Sequence, residues 1–234
     1  MDIYSKTKLN NNLKTISYEV FLEKMGHLVS ETYSRNSNNE QSFGSKGSYI
    51  YKDRKKDNIG YKIYRGFTER NFKEFNDKIL VSELIKRQPY ITKTKFPIGL
   101  ISFNSKIIGQ QIPYFDNHKQ LNKLETIKNI SIYEKILESI KEMYENGVMY
   151  LDIHDKNFII NKKNNVQTID FEDKYIMFDD YSDETKMAIL KKIIKLINAT
   201  NEKHQIPFIL KQEDINGFND IHLLLKENSK KLKR

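Results

Sequence analysis

Apolar residues along this chain recur at two different spacings, and the change from one to the other divides the sequence. Between residues 18 and 33, Val20, Phe21, Met25 and Leu28 fall at helix-like intervals and predict one helix. The polar stretch 34–41 reads as a loop. The run 42–51 reads as a glycine turn leading into a strand, and Tyr61-Lys-Ile-Tyr64 as a second strand. Helical spacing returns over 72–87, with Phe75, Ile79, Leu80 and Leu84 on one face. Two short apolar segments, 98–103 and 107–114, then flank Asn104-Ser-Lys106, the pattern of a hairpin.

Pro113 and the polar run Asp116-Asn-His-Lys119 close this strand-rich half, and a boundary is expected there. The second half opens on the strongest helical signal, 131–146, where Ile132, Ile136, Ile140 and Met143 share a face and Gly147 stands where a C-terminal cap belongs. Residues 158–160 and 166–169 read as strands around the polar turn 161–165, and 187–197 and 214–232 as helices. Residues 1–16 are polar and read as a loose lead-in. The pattern predicts an α+β protein in which a small mixed sheet with one helix precedes a mainly helical part, without internal repeats or a low-complexity linker.

Composition narrows the function classes. The 234 residues include 14 Tyr and 13 Phe, enough to build a real core. The net charge of +9 invites a nucleic-acid reading, but only six of the 40 basic residues are Arg, the side chain best suited to bidentate phosphate recognition. Lys comes with many Asn and Ile, as A/T-rich coding would supply, so nucleic acid ranks last among partners. The absence of Cys excludes disulfides, thiolate metal sites and a Cys nucleophile. The five His are scattered, which argues against a histidine metal site. No apolar run approaches the roughly 18 residues a membrane span needs, and the first residues lack the apolar core of a Sec-type signal. The expectation is a chain without a membrane span, cytoplasmic at synthesis.

The chemistry concentrates in Met149-Tyr-Leu-Asp-Ile-His-Asp-Lys-Asn-Phe-Ile-Ile160 and Thr168-Ile-Asp-Phe-Glu172. Asp152 follows a helix and its turn, Asn157 precedes a strand, and Asp170 ends the next strand. Three oxygen-bearing side chains therefore converge at the ends of one hairpin. Phosphoryl transfer from ATP needs that inventory: a carboxylate to orient and deprotonate an acceptor hydroxyl, and hard oxygen ligands for Mg²⁺. Asp and Asn also favour turns, but three of them at these spacings favour a site.

In these residues the sequence resembles the protein-kinase-like superfamily, whose catalytic loop reads H-R-D, four residues, Asn, and whose metal motif reads D-F-G. The resemblance implies a two-lobed kinase-like fold, with residues 1–40 an N-terminal extension carrying one helix, 41–115 the N-lobe and 116–234 a truncated, mainly helical C-lobe. It implies Asp152 as catalytic base and Asn157 and Asp170 as Mg²⁺ ligands. In the first half, Gly44-Ser-Lys-Gly47 looks like a shortened phosphate-binding loop through Gly44, Ser45 and Gly47. Lys62 is the best match for the lysine that clamps the α- and β-phosphates, with Lys52 the runner-up. Glu83 is the best match for its ion-pair partner, with Glu74 the alternative. Pro113 and Tyr114 would flank the adenine.

Three departures refine the expectation. His154, two residues after Asp152, matches the D-x-H-x-x-N loop common in aminoglycoside and choline kinases; its simplest role is a hydrogen bond to the loop backbone. Glu172 replaces the Gly of D-F-G, which predicts no easy flip of this segment; its carboxylate is either a solvated group or an addition near the metal, the former favoured. Only 62 residues follow Glu172, without an A-P-E match. That resembles minimal effector-type kinases secreted by some bacteria and predicts activity without prior phosphorylation. The implied function is ATP- and Mg²⁺-dependent transfer to a protein Ser/Thr hydroxyl, the alternatives being a small-molecule kinase and a pseudokinase acting as a binding module. The last nine residues, 226–234, carry five basic side chains, a frayed end or a dock for an acidic partner.

Overall fold

The computed structural model describes residues 13–32, 48–64, 77–127 and 130–232. It is an α+β protein whose described chain forms two compact units: residues up to Lys86 with Phe96–Asp116, and Arg87–Lys95 with Asn117 onward.

The first unit is a curled six-stranded sheet. Its strands are β1 (Thr15–Ser17), β2 (Met25–Thr32), β3 (Ser48–Asp53), β4 (Ile59–Tyr64), β5 (Gly99–Phe103) and β6 (Lys106–Pro113), in the order β1-β5-β6-β4-β3-β2. Every pairing is antiparallel except β1 with β5, where Thr15 lies opposite Leu100. Helix α1 (Tyr18–Lys24) starts at Ser17, whose hydroxyl accepts the Val20 N–H at 3.4 Å. Its Phe21 is buried with Tyr61, Ile101 and Ile108. Helix α2 (Asp77–Arg87) sends Val81 into a separate cluster with Leu100 and Ile107. Leu100 and Ile101 are sequence neighbours, as are Ile107 and Ile108, and adjacent strand residues face opposite ways. The sheet is therefore covered on one face by α1 and on the other by α2.

The second unit is built on α3 (Ser131–Glu145), which buries Ile132, Tyr133, Ile136, Leu137, Ile140 and Met143. Around it lie three strands in the order β10 (Val166–Thr168), β9 (Phe158–Asn161), β7 (His118–Gln120), and a pair of β8 (Val148–Tyr150) with β11 (Ile176–Phe178). Helices α4 (Asp183–His204) and α5 (Phe218–Lys231) complete it. Thr94, Ser139 and Thr168 form a buried hydroxyl chain, with links of 2.6 and 3.0 Å. Among the described residues no helix is long and apolar enough to cross a membrane.

Several expected elements shift. The helix read over 18–33 ends at Lys24, and Met25–Thr32 becomes a strand because pairing with β3 outweighs a weak helical period. The lead-in 1–16 contributes Thr15 and Ile16 to β1, and the polar run at 116–119 contributes the start of β7. The helix read over 187–197 extends to both sides, starting at the Ser182 cap. The helix read from 214 begins at Phe218, where Asp220 accepts the Asn216 and Gly217 N–H groups at 2.8 and 2.9 Å. Residues 42–47 and 72–76 lie outside the described residues.

Gly147 confirms its predicted place after α3. Its φ is +77°, and an added Cβ would stand 2.1 Å from Asp179 Oδ1, a carboxylate already held by Arg87 at 2.6 Å. Gly147→Ala is expected to cost about 1–3 kcal/mol through left-handed strain and this clash. A denaturant midpoint unchanged from wild type would refute that.

Candidate functional site

The site in the second unit is assembled by main-chain hydrogen bonds between the end of β8, the loop after it and the end of β10. Leu151 N–H donates to Tyr175 C=O at 2.8 Å, which fixes the exit of β8. The loop then turns at Asn157, whose N–H donates to His154 C=O at 3.0 Å. Asn157 is almost fully buried. Its amide nitrogen donates twice to Asp152, to the main-chain oxygen at 3.0 Å and to Oδ2 at 2.8 Å. Ile169 N–H donates to Asn157 C=O at 2.9 Å, bringing Asp170 alongside the loop. Asp170 itself adopts a left-handed backbone conformation, φ +66°, uncommon outside Gly, Asn and Asp.

Asp152 sits half-buried at the centre. Burial disfavours its charged form, but the bond and charge of His154, the Asn157 amide and the Lys174 charge more than offset this, holding its carboxyl below the usual carboxylate range. It is therefore ionised at neutral pH. His154 Nε2 lies 3.6 Å from Asp152 Oδ1, and its Nδ1 accepts the Lys156 N–H at 3.3 Å. An accepting Nδ1 leaves the proton of the neutral ring on Nε2, the nitrogen facing Asp152. His154 thus makes the expected backbone bond and also steadies the central carboxylate.

Beneath the loop lies Tyr150, fully buried, which the sequence reading missed. Its hydroxyl donates to Ile169 C=O at 3.0 Å, and its ring packs on Phe171 with centroids 5.4 Å apart. Burial raises its phenol well above the ordinary range, and the charges of Asp152, Asp170 and Glu172 push the same way. The hydroxyl therefore stays protonated and can keep donating to Ile169. The available signal was a tyrosine in the short apolar run Val148-Met-Tyr150, since a buried phenol requires a partner. Glu172, favoured above as solvated, is instead part-buried and lies 3.6 Å from Lys174.

Asn157 and Asp170 offer two hard oxygen donors on neighbouring backbone. Because the Asn157 nitrogen donates to Asp152, its amide oxygen is the end suited to a cation. This donor chemistry fits Mg²⁺, which takes one or two protein oxygens and completes its shell with water and phosphate. Among the described residues, no three His, Asp or Glu side chains gather as a metal cluster of their own.

The other candidate residues belong to the first unit. Lys62 occupies the middle of β4, opposite Ile50 and Gln110, and Gln110 lies opposite Leu100. Paired residues share a face, so Lys62 lies on the sheet face covered by α2, the helix that carries Glu83. Both are buried, at 8% and 6% exposure, which charged side chains accept only with partners. Lys52 is engaged elsewhere, 2.9 Å from both Asp57 and Asp116. Pro113 ends β6, and Tyr114 follows it with its N–H on Asn58 C=O at 2.9 Å. Gly44, Ser45, Gly47 and the alternative Glu74 lie outside the described residues. Compared with known proteins, the chain matches no family model and no curated sequence.

Proposed function

We propose that this chain is an ATP-dependent phosphotransferase with a two-lobed protein-kinase-like fold, and that its acceptor is a protein Ser or Thr hydroxyl. The observation that carries the reading is the bonded set Asp152–Asn157–Ile169: a loop carboxylate held by an asparagine five residues on, itself tied to the residue before Asp170. Lys62 and Glu83, buried under one sheet face, support it, and we assign them to each other as the pair that positions the phosphates.

Asp152 would orient the acceptor hydroxyl. A bond forms from the acceptor oxygen to the γ-phosphorus, the bond to the β,γ-bridging oxygen breaks, ADP leaves and the hydroxyl proton passes to Asp152. Asn157 and Asp170 would hold Mg²⁺, which neutralises phosphate charge when bound. Lys62 would neutralise charge on the phosphates, and Tyr150 keeps Ile169, and with it Asp170, in place.

A second reading, transfer to a small molecule, is favoured by one observation: Asp152 lines a cavity of about 330 Å³, at the small end of ligand-sized pockets. The test is incubation of the full chain with γ-labelled ATP, Mg²⁺ and a mixed-protein acceptor, read by mass spectrometry. Autophosphorylation or transfer to protein, lost on chelating Mg²⁺, is expected. Transfer confined to small molecules supports the second reading, and failure both to transfer and to bind Mg-ATP assigns the chain as a binding module.

A further inference from the structure

The cavity beside Asp152 lies wholly within the second unit. The loop residues Asp152, Ile153, His154 and Asp155 form one wall and α4 the other. Lys192, Lys195, Ala199 and Lys203 follow at intervals of three, four and four residues on α4, one helical face, and all four line the cavity. The Lys192 ammonium donates to Leu151 C=O and that of Lys203 to Asn122 C=O, each at 2.5 Å. These carbonyls satisfy hydrogen bonds without cancelling charge. Among the described residues no carboxylate lies within ion-pair distance of Lys192, Lys195 or Lys203. Three cations thus line a cavity whose own carboxylates are Asp152 and Asp155, an excess of one positive charge.

Two residues of the same lining also hold unpartnered polar atoms, both shut off from the cavity's open space. His204 Nε2 and Asn122 Oδ1 are buried and make no hydrogen bond among the described residues. Burial and the neighbouring Lys203 charge hold His204 below the ordinary imidazole range.

We propose that this cavity is the acceptor subsite and that it selects a hydroxyl compound bearing an anionic group, carboxylate or phosphate, placed by Lys192, Lys195 and Lys203 with its hydroxyl toward Asp152. The proposal rests on the phosphotransfer reading for the role of Asp152 and adds the acceptor's charge. Uncancelled charge of one sign in a cleft concentrates the opposite sign. The excess positive charge disfavours cationic acceptors of the aminoglycoside or choline type, whatever the likeness of the loop. The anion is either the acidic flank of a peptide or a free hydroxy acid.

The experiment compares peptides with one Ser flanked by Glu, by Ala or by Lys, together with glycerate and glycerol, each with the full chain and Mg-ATP at low salt. Anionic acceptors should exceed their neutral counterparts by roughly three- to tenfold in kcat/KM, the size expected of a few exposed charge pairs. Comparing the Glu-flanked peptide with glycerate identifies the source of the anion. Lys195 is exposed and makes no bond among the described residues, so Lys195→Glu should fold, as checked by circular dichroism, and should shrink or reverse the preference. Equal use of neutral or basic acceptors, or a preference untouched by Lys195→Glu, overturns the proposal while leaving phosphotransfer standing. Absence of any transfer, autophosphorylation included, overturns both.

Discussion

Asp152→Ala is expected to lower the phosphotransfer rate by about 10²–10⁴-fold, the usual contribution of a positioned general base, with little loss of stability. The carboxylate is held by its neighbours rather than holding them. Asn157 keeps its 3.0 Å bond to the Asp152 main-chain oxygen in the variant, and the Ile169–Asn157 backbone bond does not involve the side chain. One hydrogen bond to Oδ2 is lost, worth about 1–3 kcal/mol at most because its acceptor is charged, and burial of that charge is relieved at the same time. Single-turnover transfer from labelled ATP beside a thermal melt checks both halves. A rate within about threefold of wild type would remove Asp152 from the chemistry.

The second large effect belongs to a residue that touches no reactant. Tyr150→Ala is expected to cost about 3–5 kcal/mol, as truncations of buried aromatic rings do, because the ring fills space against Phe171 and is fully enclosed. Tyr150→Phe separates packing from hydrogen bonding. It keeps the ring and leaves Ile169 C=O without its 3.0 Å donor, at a cost of roughly 1–2 kcal/mol. Since Ile169 precedes Asp170, the Phe variant should need more Mg²⁺ for half-maximal activity than wild type while KM for acceptor holds. Denaturation curves give the stabilities and a Mg²⁺ titration the second effect. An unshifted titration in a folded Tyr150→Phe protein would reduce Tyr150 to packing alone.

The candidate site was legible because its parts are local. Asp152 and Asn157 share one loop, and Asp170 follows the hairpin that starts at Phe158, so a few intervals read along the chain already bring them together. Helix α3 was equally plain, since an amphipathic period ending in Gly147 leaves few alternatives. What escaped was set by partners distant in sequence. Met25 and Leu28 have helical spacing, yet β3 claims them as strand. Nothing in Thr15-Ile-Ser17 announces a strand, because its ladder is made with β5. His118–Gln120 looks like a polar connection until β9 offers its edge. The lysine row escaped for another reason: its residues are spread through a helix read as shorter than it is, and their role depends on the loop they face.

The pairing of β1 with β5 also orders events during synthesis. Thr15 meets Leu100, 85 residues further along the chain. At about 5–20 residues per second, the first strand emerges roughly 4–17 s before its partner has been made. Strands β2, β3 and β4 pair with sequence neighbours and can form in that interval, and the β5–β6 hairpin can then add to β4. The sheet can therefore grow from its β2 edge, with β1, its first strand in sequence, the last to find a partner.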